Sequence, residues 1–396
     1  MSSIKQGYKQ TKVGIIPEDW EVKQLNEETS IQRGRFSPRP RNDPQYYNGE
    51  YPFVQTNDVV NSKGRIVNYS QTLNEKGIKV SKLFPKGTIL MTIAANIGFT
   101  GILKSDMACP DSLVGIQCKK NLHNEFLNYY FMHMQKKIDY LAEEAAQKNI
   151  NLSTLNSLKI PLPHLKEQEK IAEILTTWDE AISLHVKLIE EKEQLKIGLM
   201  QKLLSGEARF AGFCGKWEEV KINQIFEITR GYVLAVSDMS QEQTLEYQYP
   251  VYSSQTKNDG LTGYYKEYLF ENCLTWTTDG ANAGDVNLRR GKFYCTNVCG
   301  VLKSEKGYAN QCIAEILNSV TKNYVSYVGN PKLMNNTMGH IKIQIPNTIE
   351  EQEAISEVLS LADDELNLLK KELEVLQQQK KGLMQKLLTG KVRIKV

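Results

Sequence analysis

The chain has 396 residues, 41% of them apolar, and its formal net charge is +3. This length predicts two or three domains with cores of their own, and so small a net charge argues neither for nor against a nucleic-acid partner. The seven cysteines show no C-x-x-C spacing and predict reduced, mostly buried thiols. With a first segment that lacks the apolar core of a secretory signal, they predict a cytoplasmic protein.

Charge is distributed unevenly along the chain. Residues 1–150 carry 20 Lys and Arg against 15 Asp and Glu, whereas residues 211–345 carry 13 of each kind. Positive charge is therefore concentrated in the first part of the chain.

The sequence predicts two compact domains, here called heads, each followed by a long helix. The first head, from about residue 20 to residue 163, consists of short β-prone runs broken by Gly, Asn, Asp and Pro. Strands are predicted at 51–54 and 89–93, and apolar residues at helical spacing predict a helix over 125–146. The apolar stretch 87–103 is too short for a membrane span and is interrupted by polar residues, so it predicts two buried strands joined by a turn.

The second head, from about residue 217 to residue 346, has the same texture. Its predicted strands are 270–277 and 294–302, and its predicted helix is 309–320. The heads share an opening Trp, an Arg-Gly step and a closing Lys-Ile strand that ends in proline. These landmarks are Trp20 and Trp217, Arg33-Gly34 and Arg230-Gly231, and the segments 159–163 and 342–346. The sequences between them differ, as expected of two copies adapted to different targets.

Each head is followed by a long polar helix, and the two helices repeat one another. The sequence GLMQKLL occurs at 198–204 and again at 382–388, an offset of 184 that holds without a gap back to Gln168 and Gln352. Apolar residues recur at alternating spacings of four and three for about five heptads in each copy. Connectivity predicts that the second helix runs back antiparallel to the first, with the heads at opposite ends of a rod about a pseudo-two-fold axis. Lys192, Lys196 and Lys380 interrupt the apolar seam, either to fix its register or to open a surface for another protein.

The predicted fold class is α+β, with two mixed α/β heads separated by two long helices that form an intramolecular antiparallel coiled coil. The predicted divisions are a first head at 1–163, a first helix and spacer at 164–210, a second head at 211–346 and a second helix at 347–396. An amphipathic helix lying on a domain is the alternative interpretation of each heptad pattern.

Catalytic motifs are absent from the sequence. It contains no phosphate-binding GxxxxGK[ST] loop, no Gly-rich dinucleotide loop, and no HExxH or GxSxG motif. Asp111, near Lys119, faintly resembles part of a nuclease metal site but lacks the second acid, and Cys295, Cys299 and Cys312 lack a fourth ligand. We therefore predict no catalytic residue, no metal and no cofactor in this chain.

The heads do contain hydrogen-bonding residues beside basic ones in predicted loops. Arginine forks suit phosphate and guanine, and Asn or Gln can bond adenine at two atoms. Ordinary turn formation is the competing interpretation of any single residue. The candidate DNA contacts are Arg33, Arg35, Arg39, Arg41, Gln55, Thr56, Asn57, Asn149, Asn151, Ser153, Arg230, Ser253, Ser254, Gln255, Arg289, Arg290, Asn330, Lys332 and Asn335.

The whole chain resembles the DNA-specificity subunit of type I restriction–modification systems. The resemblance rests on GIIPEDW at 14–20, on RFAGFCGKW at 209–217, on the proline to Glu-Gln transitions, and on both GLMQKLL copies. It implies two target-recognition domains that each read one half of a split site in double-stranded DNA. It also implies that the helices set the gap and bind two methyltransferase subunits, which use S-adenosylmethionine to modify adenine N6. Restriction subunits, which require ATP and Mg²⁺, would join to translocate and cut DNA.

Two other functions remain as alternatives. The first is a coiled-coil scaffold whose heads bind protein, which salt-dependent DNA binding would distinguish. The second is a nuclease or methyltransferase in its own right, which activity of the purified chain would reveal.

Overall fold

The computed structural model describes residues 4–143, 149–254 and 258–394. The chain divides into a first unit, Met1–His185 with Leu373–Val396, and a second unit, Val186–Glu372. Each unit therefore combines one head with parts of both long helices.

The first unit holds an α+β head, and its elements follow in chain order. Its strands are β1 (Tyr8–Thr11), β2 (Gly14–Pro17), β3 (Glu21–Gln24), β4 (Thr29–Arg33), β5 (Tyr47–Phe53), β6 (Arg65–Ile66), β7 (Gln71–Leu73), β8 (Leu83–Phe84), β9 (Ile89–Thr92), β10 (Thr100–Leu103), β11 (Met107–Ala108), β12 (Leu113–Cys118) and β13 (Lys159–Leu162). Its helices are α1 (Leu25–Glu28), α2 (Thr56–Asn61), α3 (Glu75–Lys79), α4 (Asn124–Glu143) and α5 (Leu152–Ser157).

A five-stranded sheet of order β4-β12-β9-β10-β6 forms the centre of this head, beside a four-stranded sheet of order β7-β5-β11-β8. Alternate residues of β9 enter different cores, as the period of two in a strand requires. Ile89 and Met91 pack with Phe126 of α4, whereas Leu90 packs in a second core with Phe84. The predicted pair of buried strands within 87–103 is confirmed, because β9 and β10 pair antiparallel.

The second unit holds the other head. Its strands are β14 (Glu218–Lys221), β15 (Glu227–Arg230), β16 (Tyr249–Tyr252), β17 (Leu261–Tyr265), β18 (Phe270–Thr277), β19 (Val286–Cys295), β20 (Cys299–Lys303) and β21 (Lys342–Ile345), and its short helices are α7 (Ile222–Ile225), α8 (Gln311–Thr321) and α9 (Asn335–His340). A six-stranded sheet of order β15-β20-β18-β19-β16-β17 carries α8 on one face, where Ile313 and Leu317 meet Leu274 and Trp276.

One strand prediction in this head is wrong. Residues 294–302 do not form a single strand, because β19 ends at Cys295 and β20 begins at Cys299. The intervening residues 296–298 make a turn in which the amide of Cys299 donates to the carbonyl of Thr296 at 3.0 Å. The two polar residues Thr296 and Asn297 mark this turn, but apolar residues on both sides of them made the segment read as one strand.

Two long helices complete the units, α6 (Leu165–Leu204) and α10 (Ile349–Leu388). Both cross the boundary between the units, at His185 and Val186 in α6 and at Glu372 and Leu373 in α10. The predicted seam positions are all buried or half-buried, while most of the other helix positions are exposed. The period of 3.5 residues thus correctly predicts which helix face is covered.

Ion pairs join the two long helices inside each unit, and the two pairs of the second unit show that the helices run antiparallel. In the second unit Lys192 of α6 pairs with Glu365 of α10, and four residues later Lys196 pairs with Asp363. In the first unit Lys380 of α10 pairs with Asp179 of α6. The three seam lysines each meet a carboxylate of the other helix, which supports their predicted role in register.

Each long helix begins with a buried glutamate that is held by an arginine. Glu167, with a side chain 2% exposed, accepts from Arg393 Nε at 2.9 Å in the first unit, and Glu351 accepts from Arg209 Nε at 2.7 Å in the second. Both the glutamates and the arginines stand 184 residues apart, the offset of the sequence repeat. The neighbouring Gln168 and Gln352 donate to the carbonyls of Pro163 and Pro346, which fixes the start of each helix.

None of the helices in the described parts of the chain has the length and apolar character needed to span a bilayer.

Candidate nucleic-acid interface

The Arg-Gly step of the first head lies at the end of β4, where the chain crosses the loop 110–112. The amide of Gly34 donates to the carbonyl of Leu113 at 2.9 Å, and the amide of Arg35 donates to that of Cys109 at 3.0 Å. Arg33 Nε donates to the carbonyl of Asp111 at 2.5 Å. A Cβ atom at position 34 would lie 2.2 Å from the carbonyl oxygen of Pro110, so only glycine fits this crossing.

The Arg-Gly step of the second head makes the same contacts. The amide of Gly231 donates to the carbonyl of Cys299 at 3.0 Å, and the amide of Tyr232 donates to that of Cys295 at 3.1 Å. Arg230 Nη2 donates to the carbonyl of Asn297 in the middle of the loop 296–298. A Cβ atom at position 231 would lie 2.2 Å from the carbonyl oxygen of Cys295. The landmark shared by the two sequences is therefore one structural element, which we call the arginine crossing.

Further candidates surround the crossing in the first unit. Arg41 Nη2 donates to both carboxylate oxygens of Asp111 at 2.6 and 2.8 Å, and the hydroxyl of Thr56 lies 3.2 Å from that of Ser112. Asn149 pairs with Ala94, next to Ile93, whose amide donates to the carbonyl of Ser112. Asp111, considered from the sequence as part of a nuclease site, instead anchors arginines. The first rim is defined as Arg33, Arg41, Thr56 and Asn149.

The other two arginines of this segment also donate to carbonyls. Arg35 Nη2 donates to Ser81 at 3.0 Å, and Arg39 Nη1 donates to Pro38 at 2.8 Å. Carbonyl acceptors are neutral, so these contacts leave the positive charge of both guanidinium groups at the surface. Phe36 anchors the segment beneath them, with its ring centroid 5.1 Å from that of Phe53.

Several residues that the sequence placed in loops lie instead at the starts of short helices. Asn151 caps α5 by accepting from the amide of Thr154 at 2.8 Å, and Ser153 donates to Asn151 at 2.6 Å. Capping by Asn satisfies helix donors, so these contacts stabilise the fold.

Gln55 precedes α2, and its side chain donates to Gln71 at 2.9 Å. Asn57 is exposed on the first turn of α2. Short helices of six residues carry too little periodicity for sequence analysis to detect them.

In the second unit, five candidates form a connected group around the crossing. Asn335 donates to the carbonyl of Thr229 at 3.4 Å, and Lys332 and Asn330 both reach the carboxylate of Asp279. Ser253 accepts from the hydroxyl of Thr296 at 3.0 Å. The second rim is defined as Arg230, Ser253, Asn330, Lys332 and Asn335. Ser254 beside it is half-buried, and Gln255 lies outside the described residues.

Arg289 is not a surface residue. It is 7% exposed, donates to the hydroxyl of Thr275 at 3.0 Å and to the carbonyl of Asp259 at 2.6 Å, and lies 3.8 Å from the ring centroid of Tyr252. Burial lowers the pKa of its guanidinium from the ordinary value, yet arginine remains protonated in proteins. It lines a polar cavity of about 310 Å³ in this head.

Its neighbour Arg290 is exposed on the opposite face of β19. It borders a groove of about 640 Å³ that also contains Glu353 and Glu357 of α10. The structure therefore places Arg289 in the same cavity as Ser253 of the second rim, and Arg290 on the other face of the sheet, away from that rim.

Sequence analysis missed the two loops that the crossings contact, and with them Asp111 and Asn297 as anchors. The available signal was a polar residue two positions before a buried strand, which does not identify its partner. The described residues contain no group of His, Cys, Asp or Glu side chains arranged to hold a metal ion. Burial raises the pKa of the Cys299 thiol to about 11, which keeps it protonated.

Comparison with solved structures shows a shared fold. A type I restriction–modification S subunit from M. genitalium superposes with a TM-score of 0.63 at 20% identity, covering 93% of this chain and 96% of that one. The HsdS subunit of Thermoanaerobacter tengcongensis superposes with a TM-score of 0.51 at 14% identity, covering 95% of this chain and 98% of that one.

Sequence comparison gives relatives that span the full length. A putative type I restriction enzyme specificity subunit of Methanocaldococcus jannaschii is 28% identical over 99% of this chain and 98% of its own length. A putative type I specificity subunit of Mycoplasma pneumoniae is 32% identical over 53% of this chain and 77% of its own length. The profile of the type I restriction modification DNA specificity domain matches residues 17–194 and 215–378, one copy for each predicted head and helix. The chain therefore belongs to the family of type I restriction–modification specificity subunits, which recognise DNA and carry no catalytic activity of their own.

Proposed function

We propose that this chain reads a bipartite, asymmetric sequence in double-stranded DNA, with one half-site read by each head. The observation that carries the proposal is the arginine crossing, which recurs in both units beside a rim of polar side chains. Arg33 and Arg230 bond neutral carbonyls and so keep their charge for phosphates, which position a protein on the duplex. Because the two rims differ in sequence, each suits a different set of base edges.

Most of the candidate contacts divide into two groups on this basis, whereas Asn57, Ser254 and Arg290 lie outside both rims and Gln255 lies outside the described residues. The four members of the first rim and the five of the second rim, with Arg35 and Arg39, are the contacts we propose. Gln55, Asn151 and Ser153 carry structural hydrogen bonds, and Arg289 is buried, which weakens their case.

The paired helices supply the second part of the proposal. We propose that they dock two adenine-N6 methyltransferase subunits and that restriction subunits join this assembly to translocate and cut DNA. S-adenosylmethionine would then be bound by the methyltransferases, and ATP and Mg²⁺ by the restriction subunits, all in the cytoplasm. In this proposal, the DNA-reading heads are residues 1–163 and 211–346, and the helical segments that bind the partner subunits are residues 164–210 and 347–396.

Geometry suggests how the helices would set the gap. Half-sites read from one face of the duplex lie ~34 Å apart, and the 38 residues from Glu167 to Leu204 extend ~57 Å. We expect that inserting one heptad into each helix changes the spacer length and leaves both half-sites unchanged, and that replacing residues 20–163 with another head changes one half-site only.

Sequencing of methylated sites after co-expression with the cognate methyltransferase tests both expectations. An unchanged spacer after the heptad insertion would contradict the proposal that the helices set the gap. A change in both half-sites after replacement of one head would contradict the proposal that each head reads one half-site. The competing scaffold function, with heads that bind protein, predicts no steep salt dependence of DNA binding, whereas phosphate contacts require one.

A further inference from the structure

The second rim contains a short hairpin whose tip is apolar. It runs from Ser326 to Lys332, and these two residues close its base with paired backbone hydrogen bonds of 2.8 and 2.9 Å. At the tip, Tyr327 is 68% exposed and Val328 is 93% exposed.

The hairpin is firmly anchored although its tip is in solvent. Val325 before it and Leu333 after it are both buried in the main core of the head. The carbonyl of Pro331 accepts from Gly280 at 3.0 Å, and the amide of Leu333 donates to Thr278 at 3.0 Å. Near the tip, Asn330 donates to Asp279. A tip anchored in this way is presented in one position, so it loses little entropy on binding a ligand.

An aromatic and a β-branched residue side by side on such a tip point to a contact surface. Turn tips are ordinarily built from Gly, Asn, Asp and Ser, which solvate well. Here Gly329, with φ of 78°, and Asn330 already make the turn, so Tyr327 and Val328 are not needed for it. The same hairpin carries Lys332, which pairs with Asp279, and the neighbouring Thr278 donates its amide to the carbonyl of Val298 in the loop of the arginine crossing at 3.0 Å. The tip therefore presents the aliphatic side chain of Val328, with the amide of Asn330 and the ammonium group of Lys332 on the same hairpin.

We infer that Val328 reads the 5-methyl group of a thymine in the half-site of the second head. The inference rests on the proposed DNA reading and deepens it. The thymine methyl is the apolar feature of the major-groove edge, and small apolar side chains are its usual contacts. The branched Val328 side chain has little rotamer freedom to lose and fits a single methyl. Lys332 at the base of the hairpin lies 3.8 Å from the carboxylate of Asp279, and in the complex it would contact the adjoining phosphate.

The test uses the full chain in complex with its methyltransferase, on duplexes that carry the mapped site. Each thymine of the site is replaced in turn by uracil, which removes the methyl group alone. We expect one position, in one half-site, at which uracil weakens binding by about fourfold, the factor for one buried methyl-sized group.

The variant Val328→Ser removes both methyl groups of the side chain, and we expect it to abolish that uracil penalty. Val67→Ser in the first unit is the matched control, because Val67 is 61% exposed and belongs to the other head. Since Val328 is almost fully exposed, its variant should unfold at the same temperature as the wild type.

Three results would overturn the inference: no uracil penalty at any thymine, a penalty that Val328→Ser retains, or no thymine in the half-site read by the second head. Duplexes with 2-aminopurine beside each thymine report unstacking of the bases. Increased 2-aminopurine fluorescence on binding, with no dependence of affinity on the thymine methyl, would indicate that the tip intercalates between bases and would also overturn the inference. In each case, sequence-specific and salt-dependent binding by the wild type would leave the proposed function standing. Loss of that binding in the wild type would instead refute the proposed function.

Discussion

Replacing Arg393 with alanine should loosen the first unit selectively. Arg393 donates to both carboxylate oxygens of Glu167 at 2.9 and 3.1 Å and to both of Asp19 at 2.8 and 2.7 Å. In the variant, Glu167 stays buried with Trp20 Nε1, at 3.0 Å, as its remaining side-chain donor among the described residues.

The size of the effect follows from burial. Breaking a buried ion pair costs about 3–5 kcal/mol, because the remaining charge is not compensated. The side chain of Arg393 is 38% exposed, so water reaches the vacated position and reduces the cost. We expect a loss of about 2–3 kcal/mol in local unfolding free energy.

Hydrogen exchange measures this loss segment by segment, which suits a chain of two units better than one global transition. Peptides covering 8–20 and 386–394 should exchange roughly 30 to 150 times faster, since 1.4 kcal/mol is a factor of ten. Peptides of the second unit should not change. Lys391→Ala, an exposed neighbour in the same segment, is the control. Unchanged exchange in the first unit, or equal acceleration in both units, would refute the reasoning.

The matched variant Arg209→Ala should have the larger effect, on the second unit. Glu351 is 1% exposed, Arg209 is 21% exposed by side chain, and Trp217 Nε1 has no hydrogen-bond partner among the described residues. The carboxylate of Glu351 therefore lacks the tryptophan donor that Glu167 keeps.

The contact also predicts a pH dependence. The hydrogen bond from Arg393 lowers the pKa of Asp19 below its ordinary value. A carboxyl with a lowered pKa in the folded state stabilises fully above its unfolded pKa, near ~3.9, and loses that contribution as the pH falls through the folded pKa. The stability difference between wild type and Arg393→Ala should thus narrow below about pH 4.

Two further predictions concern the crossings. Arg33→Gln and Arg230→Gln should each weaken DNA binding on all sequences and reduce by about one the slope of log affinity against log salt concentration. Arg41→Gln should weaken binding less, because Asp111 already balances the charge of Arg41. Fluorescence anisotropy at several salt concentrations measures these affinities. Gly231→Ala should disturb the loop 296–298 and impair one half-site in methylation mapping while the other is kept, since its Cβ would lie 2.2 Å from a carbonyl oxygen. Gly382→Ala, which meets no atom within 4 Å, should be stable and fully specific, and altered specificity there would contradict this account.

The helices were predictable from sequence because their signal is local and repeated. An apolar seam repeated over about five heptads predicts both the buried face of each helix and the positions at which the seam lysines need partners. Which carboxylates pair with them depends on the register between helices, and the sequence of one helix does not contain that register.

The heads were less predictable because polar residues serve several purposes. Asn151 as a helix cap and Asn330 as a partner of Asp279 have the same sequence signature as a base-reading amide. Arg289 and Arg290 illustrate the limit most clearly. Successive residues of a strand face opposite sides, so one of the two had to point inward, but the stacking on Tyr252 that makes burial of Arg289 tolerable comes from another strand.

The offset of 184 residues has a consequence for how the chain is organised. In the first unit, Glu167 comes from the first repeat and Arg393 from the second, whereas in the second unit Arg209 comes from the first repeat and Glu351 from the second. The unit boundaries fall inside α6 and α10 for the same reason. The repeats are therefore not two tandem domains, because each compact unit needs material from both. A substitution at the end of the first helix acts on the unit that contains the second head, and its equivalent at the end of the second helix acts on the unit that contains the first head.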